Sequence, residues 1–290
     1  MTNGVLLFAN NNEQVDYVKQ AVYSAKLIKK HLGCGVAIAS DCADYVRTGF
    51  PDYKKYIDHV IDVDDSLTKN AGQKRFRDGT MAEKTLQWKN TNRYSAYDIT
   101  PFEQTIVIDT DVLINNDAYN NCWTQSEDFL IDNQMVDIHP TRNDHTFKRI
   151  SDKSITFYWA TAFFFRKSPT TKLFFDTIQH VIDNYDFYRM MYQIIPKKLR
   201  NDFVFSIAIH IMNGFKSNDQ WPKPMPARMF TTTDCDILHK IDGDRYTFFL
   251  DKESHPGQYT VNSVRGCNLH VMNKFSLGRC IDESEMMINE

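Results

Sequence analysis

Residues 105–114 read Thr-Ile-Val-Ile-Asp-Thr-Asp-Val-Leu-Ile, a β-prone run that ends on two carboxylates and then turns apolar again. A run so short and so rich in Thr, Val and Ile fits a strand buried on both faces, as strands of parallel sheets are. In a strand, residues i and i+2 share a face. Asp109 and Asp111 therefore arrive together at or just past the strand's carboxyl end, where open α/β sheets bind ligands. Two carboxylates that close repel each other and resist desolvation. A divalent cation relieves both problems, and hard oxygen ligands suit Mg²⁺ or Mn²⁺. The alternative for the same string is an Asp pair that caps a following helix or turn.

The flanking sequence supplies the rest of an α/β fold. Residues 4–9 form an apolar strand, Asn10-Asn11-Asn12 turns the chain, and 13–32 has helical periodicity, with Val15, Val18, Val22, Ala25, Ile28 and Leu32 on one side. Gly33 stops that helix. Residues 35–39 form a second strand ending at Ser40-Asp41, and 56–63 a third. This βαβ rhythm means a parallel sheet flanked by helices. Residues 66–79 are polar and carry Lys69, Lys74, Arg75 and Arg77, which predicts a mobile basic loop. A helix is expected over 81–97, with Lys89 and Arg93 on one face at i, i+4, suited to a diphosphate or to sugar hydroxyls. In the second half, an aromatic strand is expected over 155–165, an amphipathic helix over 170–186 and another over 201–213, opened by Asn201-Asp202. A late strand falls within 261–272. No repeat, low-complexity tract or linker divides the chain, so one domain over 1–290 is expected, with halves at 1–117 and 118–290.

Composition narrows the function classes. At 42% hydrophobic and 24% charged, the chain has the make-up of an ordinary globular protein with a sizeable core. A net charge of −3 provides no general field for nucleic acid and leaves only a local basic patch. Cys34, Cys42, Cys122, Cys235, Cys267 and Cys280 are scattered without a Cys-x-x-Cys, which suits reduced thiols in a cytoplasmic setting and not a zinc site. No apolar stretch approaches the roughly 20 residues that a membrane span needs, and the N-terminus lacks the basic region of a signal peptide.

The order of these parts resembles a glycosyltransferase of the GT-A fold, in the glycogenin-like and galactosyltransferase-like group. The resemblance spans about residues 4–276 and implies a Rossmann-like mixed sheet flanked by helices, with an elaborated C-terminal half. It implies that the N-terminal half binds a sugar nucleotide, that Asp109-Thr110-Asp111 holds Mn²⁺ or Mg²⁺ on the diphosphate, and that the C-terminal half binds the acceptor. The family adds a metal-binding His followed shortly by a Lys on the phosphates, and Asn268-Leu269-His270-Val271-Met272-Asn273-Lys274 is similar. It departs from the family in placing Met272-Asn273 where a Gly usually lies between the two. By the same resemblance Lys89 and Arg93 face the donor, while Ala160-Thr161-Ala162 and Asn201-Asp202 flank the sugar.

Individual residues take roles from this reading. Asp111 is the first choice as direct ligand, with Asp109 binding through water or reaching the ribose, His270 closing the shell and Lys274 on phosphate. Asn10, Asn11 and Asp41 end strands where base and ribose would lie, although turn and cap chemistry use the same residue types. Asp202 is a candidate general base for the attacking hydroxyl in inverting chemistry, or a sugar-hydroxyl ligand in retaining chemistry. Tyr158, Trp159 and Trp221 are candidates for stacking an acceptor, against the alternative of core packing. The segment Gly72-Gln73-Lys74-Arg75-Phe76-Arg77-Asp78-Gly79 resembles glycosyltransferase-like proteins of large tailed phages. That implies hydroxymethylated cytosine in DNA as an acceptor beside glycan and protein hydroxyls, with Lys74, Arg75 and Arg77 as its contacts and the host cytoplasm as the setting. A haloacid-dehalogenase-like phosphatase also opens on Asp-x-Asp, but near its N-terminus and not after three strands. A nucleotide-binding protein without catalysis is the third reading.

Overall fold

The structure is a computed structural model. It describes residues 2–63, 72–77, 83–138, 148–151, 154–195, 197–216, 221–252, 255 and 257–288, without the side chains of 72, 74–77, 83 and 285–288. In chain order the strands are β1 (Asn3–Phe8), β2 (Gly35–Ser40), β3 (His59–Asp62), β4 (Gly72–Arg77), β5 (Glu83–Trp88), β6 (Gln104–Ile108), β7 (Val112–Leu113), β8 (Phe129–Ile131), β9 (Val136–Asp137), β10 (Ala162–Arg166), β11 (Phe230–Thr231), β12 (Leu238–Asp242), β13 (Arg245–Asp251), β14 (Tyr259–Arg265) and β15 (Leu269–His270). The helices are α1 (Tyr17–His31), α2 (Ala43–Gly49), α3 (Ala96–Ile99), α4 (Pro169–Asp183), α5 (Tyr185–Met191), α6 (Asn201–Met212) and α7 (Lys274–Ile288).

The main sheet runs β3-β2-β1-β6-β10-β8. Its first four strands are parallel and β10 is antiparallel to both neighbours. This is the mixed sheet flanked by helices that the sequence implies. β6 is buried at every position, and its alternation divides the core. Ile106 and Ile108 point with Val5 and Leu7 into the layer under α1, while Val107 points with Leu6 into the layer of Phe163, Phe165, α4 and α6.

Local chemistry sets the helix ends. The Asp16 side chain accepts from Lys19 N–H and caps α1. Gly33, at φ +64°, ends the helix by donating to Ile28. Ser168 and Thr171 form a capping box for α4, with Pro169 in its first turn. At the other end of β1, a Cβ on Gly4 would lie 2.3 Å from the Phe102 ring, so only glycine lets that ring cover the sheet.

A second sheet, β7-β15-β11-β9, carries the site. The chain leaves the main sheet after β6, turns through Asp109–Asp111 and enters β7. There His270 of β15 is the cross-strand partner of Val112. A third sheet, β12-β13-β14, lies beyond it.

Several expectations are corrected. No helix spans 81–97. Residues 83–88 form β5, paired antiparallel with β4, so part of the expected loop at 66–79 is a strand. Thr85, Leu86 and Trp88 favour a pleated strand once a partner strand is available. Lys89 follows β5 and Arg93 lies in a 3₁₀ turn at Asn92–Ser95, so the two do not share a helix face. Residues 64–71 and 78–82 lie outside the described residues, as do the side chains of Lys74, Arg75 and Arg77. The aromatic strand at 155–165 joins the main sheet only over Ala162–Arg166, whereas the late strand expected within 261–272 is present as β15, after the end of β14 and Gly266 at φ +62°.

Candidate metal and diphosphate site

Asp109, Asp111 and His270 converge at the carboxyl end of β6. One ligand atom from each lies within 4.8 Å of the others. Asp111 and His270 are buried and Asp109 is half-buried. The backbone explains how residues so far apart in sequence meet. Val271 N–H donates to the Asp111 carbonyl at 2.9 Å, beside the Val112–His270 pair. From below, the Ser24 hydroxyl lies 3.0 and 2.9 Å from the carbonyls of Thr110 and Val112, which bracket Asp111.

The carboxylates carry cationic partners. Asp111 Oδ2 contacts Lys274 Nζ and lies 3.2 Å from His270 Nε2, while Asp109 Oδ1 pairs with Arg93. Burial pushes the Asp111 carboxyl up, but Lys274 and His270 outweigh it and hold it well below the usual carboxylate range. Burial draws the Arg93 guanidinium down to about 10, against the pull of Asp202 and Asp111, so it stays charged at neutral pH.

This donor set fits a divalent cation. His270 Nδ1 lies 3.4 Å from Thr231 Oγ1, whose hydroxyl in turn reaches the Thr232 carbonyl at 3.3 Å. With Nδ1–H directed at Thr231, the Nε2 lone pair faces the Asp111 carboxylate, an arrangement that needs a proton or a metal between them. Two carboxylates and one imidazole are ligands that a divalent first-row metal takes.

A second group lines the end of β1 and β2. Asp41 Oδ2 and Lys89 Nζ are 2.8 Å apart. Asn10, fully buried, accepts from Asp41 N–H at 3.0 Å and exchanges hydrogen bonds with Asn90 at 2.8 and 3.2 Å. Its Nδ2 has no partner among the described residues, a buried donor suited to a ligand or water. Asn11 is spent on structure: its Oδ1 accepts from Val18 N–H and its Nδ2 donates to Asp16.

Asp202 lies in the first turn of α6, and its field reaches Arg93. It is not the cap, a place taken by Arg200. Its oxygens accept from Ala160 N–H at 3.0 Å and pair with Arg200 at 2.9 Å. The neighbouring Asn201 donates to the Asn90 carbonyl at 3.2 Å and so ties α6 to the Asn10–Asn90 pair.

The aromatic candidates go elsewhere. Tyr158 and Trp159 are buried in the main core, with Trp159 edge-on to Phe157 at 5.1 Å. Trp221 packs on Phe129 and Phe174 at 5.6 and 5.3 Å. Burial spends the Tyr158 and Trp159 rings on packing, while Trp221 stays half-buried against the same core. Sequence reasoning missed Ser24, Asn90 and Thr231. Only Ser24 carries a signal, as a hydroxyl beside Ala21, Ala25 and Ile28 on the apolar side of the amphipathic helix α1.

Comparison with solved structures adds a loose likeness. The galactosyltransferase LgtC, in complex with donor and acceptor sugar analogs, overlaps 70% of this chain and 69% of its own at 10% identity and a TM-score of 0.43. The glycosyltransferase GlyE of Streptococcus pneumoniae overlaps 80% of this chain at 9% identity and a TM-score of 0.41, and this chain spans only 45% of its length. Overlap at that level assigns no activity. No protein-family model and no curated protein matches the chain. No described helix is long and apolar enough to cross a membrane.

Proposed function

We propose that the chain is a metal-dependent glycosyltransferase that moves a sugar from a nucleoside-diphosphate sugar, UDP-linked by first choice, to a hydroxyl acceptor. The observation that carries this is the convergence of Asp109, Asp111 and His270 with two cations, Lys274 and Arg93, at the carboxyl edge of a parallel sheet. Carboxylates and imidazole suit a metal, and the flanking cations suit the phosphates of a nucleotide donor. A metal held there would supply Lewis-acid stabilisation of the charge that builds on the diphosphate as the glycosidic bond breaks.

The chain's own residues supply the rest. His270 presents Nε2 with Nδ1 anchored on Thr231. Lys274 offers a point charge to phosphate and Arg93 a fork of donors. Asn10, Asp41, Lys89 and Asn90 form the wall for ribose and base. Asp202, held by Ala160 and Arg200, orients sugar hydroxyls in retaining chemistry or takes the acceptor's proton in inverting chemistry.

The acceptor reading rests on the β4–β5 hairpin. Lys198 Nζ contacts the Gln73 carbonyl and lies 5.0 Å from the centre of the Trp88 ring, which ties the hairpin to the segment leading into Asp202. Lys74, Arg75 and Arg77 belong to β4, and cations there suit the phosphates of a DNA acceptor carrying hydroxymethylcytosine, with glycan and protein hydroxyls as the alternative acceptors. The test is calorimetry with UDP-, GDP- and CMP-sugars in Mn²⁺, followed by donor hydrolysis. Metal-dependent binding and hydrolysis of one donor are expected. No nucleotide binding with or without metal would overturn the reading.

A further inference from the structure

We propose that Lys274 and Arg93 are internal counter-ions of the metal carboxylates that pass to the donor's diphosphate when the metal enters, so that metal and nucleotide bind as one cooperative unit. The proposal rests on the donor reading above and adds an order of charge movements to it. Its basis is the charge balance of the pocket. Asp111 Oδ2 is shared by Lys274 Nζ and His270 Nε2, and Asp109 is held by Arg93. Lys274, Arg93 and Asp111 are all buried. Two carboxylates and two fixed cations cancel.

A divalent ion entering alone brings two positive charges into a pocket with no net negative charge, where His270 already faces Asp111 and two cations are screened poorly by water. Its affinity alone is therefore held down. A nucleoside diphosphate brings at least two negative charges and restores the balance. It also gives Lys274 and Arg93 new partners as the metal takes their old ones. Both side chains have a second hold that survives the exchange. Lys274 Nζ lies 3.1 Å from the Met272 carbonyl, and the negative field of Asp202 still acts on Arg93. Lys274 is also the first residue of α7, fixed there while its four-carbon stem swings.

The consequence runs against intuition, because removing a cation from the site should strengthen metal binding. The test is an Mn²⁺ titration followed by electron paramagnetic resonance of the free ion, with and without UDP, for wild type, Lys274→Met and Lys274→Gln. Wild type should bind Mn²⁺ weakly alone, and UDP should tighten it about 30-fold, within the usual range of coupling between two ligands. By reciprocity Mn²⁺ should tighten UDP by the same factor. Both variants should bind Mn²⁺ alone about tenfold more tightly than wild type. The gain from UDP should shrink to a few-fold. If both variants bind Mn²⁺ alone no better than wild type, Lys274 is only a phosphate ligand or a structural residue, and the proposal fails. The Gln variant keeps a hydrogen-bonding side chain and covers the case in which Met perturbs the fold. The two readings fail separately. Wild type whose Mn²⁺ affinity is unmoved by UDP, GDP or CMP contradicts the donor reading, while the affinity for Mn²⁺ alone still judges the counter-ion claim.

Discussion

Replacing Arg93 by Met removes one of the two cations that balance the carboxylates. Arg93 is only 7% exposed and pairs with Asp109, whose side chain is 19% exposed. Breaking a buried ion pair by deleting one partner costs about 3–5 kcal/mol, because the other charge is left uncompensated. Asp109 keeps some contact with solvent, which points to the lower end, about 3 kcal/mol. Unfolding entropy of about 2.1 cal/mol/K per residue gives a chain of 290 residues roughly 0.6 kcal/mol/K at its midpoint. The variant should therefore melt about 5 °C below wild type in chelator. Mn²⁺ can stand in for the lost charge, and a ligand at a hundredfold excess over its Kd returns about 2.7 kcal/mol. The assay is differential scanning calorimetry of both proteins in EDTA and in Mn²⁺. The account expects Mn²⁺ to raise the variant's midpoint by more than that of wild type. A variant that melts with wild type in EDTA, or gains less from Mn²⁺ than wild type does, would refute the reasoning.

Asp132 is buried, its carboxylate accepts from Met225 N–H at 3.0 Å, and burial pushes its pKa up to about 7. The folded protein thus holds that proton more tightly than the unfolded chain, so stability should fall as pH rises from about 4 to about 7 and level off above. Asp132→Asn should flatten that slope and gain up to roughly 3–4 kcal/mol over wild type at pH 8, read from urea midpoints; an unchanged slope counts against it. Ser24→Ala strips the carbonyls on both sides of Asp111 of their donor, and should cost about 1–2 kcal/mol and weaken Mn²⁺ binding; unchanged metal affinity would make Ser24 a packing residue only. If DNA is the acceptor, binding should fall steeply with salt, and the triple change of Lys74, Arg75 and Arg77 to Ala should remove it while sparing donor hydrolysis. Wild-type DNA binding by the triple variant would end the DNA reading.

Much of the N-terminal half is legible in the sequence because its signals are local. β1, α1, β2 and β6 follow from apolar runs, a 3.6-residue period and Gly33. Asp109 and Asp111 stand out because two charges end an apolar strand, and a family likeness brought in His270. The hairpin was not legible. Residues 83–88 form a strand only because β4 lies beside them, and β4 is itself polar, so neither strand shows a buried face on its own. The aromatic run at 157–159 misled in the opposite direction, since the same residue types build a stacking platform or a core and only tertiary packing decides. Asn90 and Thr231 act through hydrogen bonds to residues distant in sequence, for which no pattern exists.

The central claim is that Asp109, Asp111 and His270 hold one divalent ion against a nucleoside diphosphate. Crystals grown with Mn²⁺ and UDP, with diffraction collected at the manganese edge, test it most directly. The account predicts one anomalous peak bounded by the two carboxylates and His270 Nε2, with diphosphate oxygens on its open side and Lys274 turned from Asp111 toward them. An ordered diphosphate with no manganese peak there, or a peak held by other residues, would contradict it.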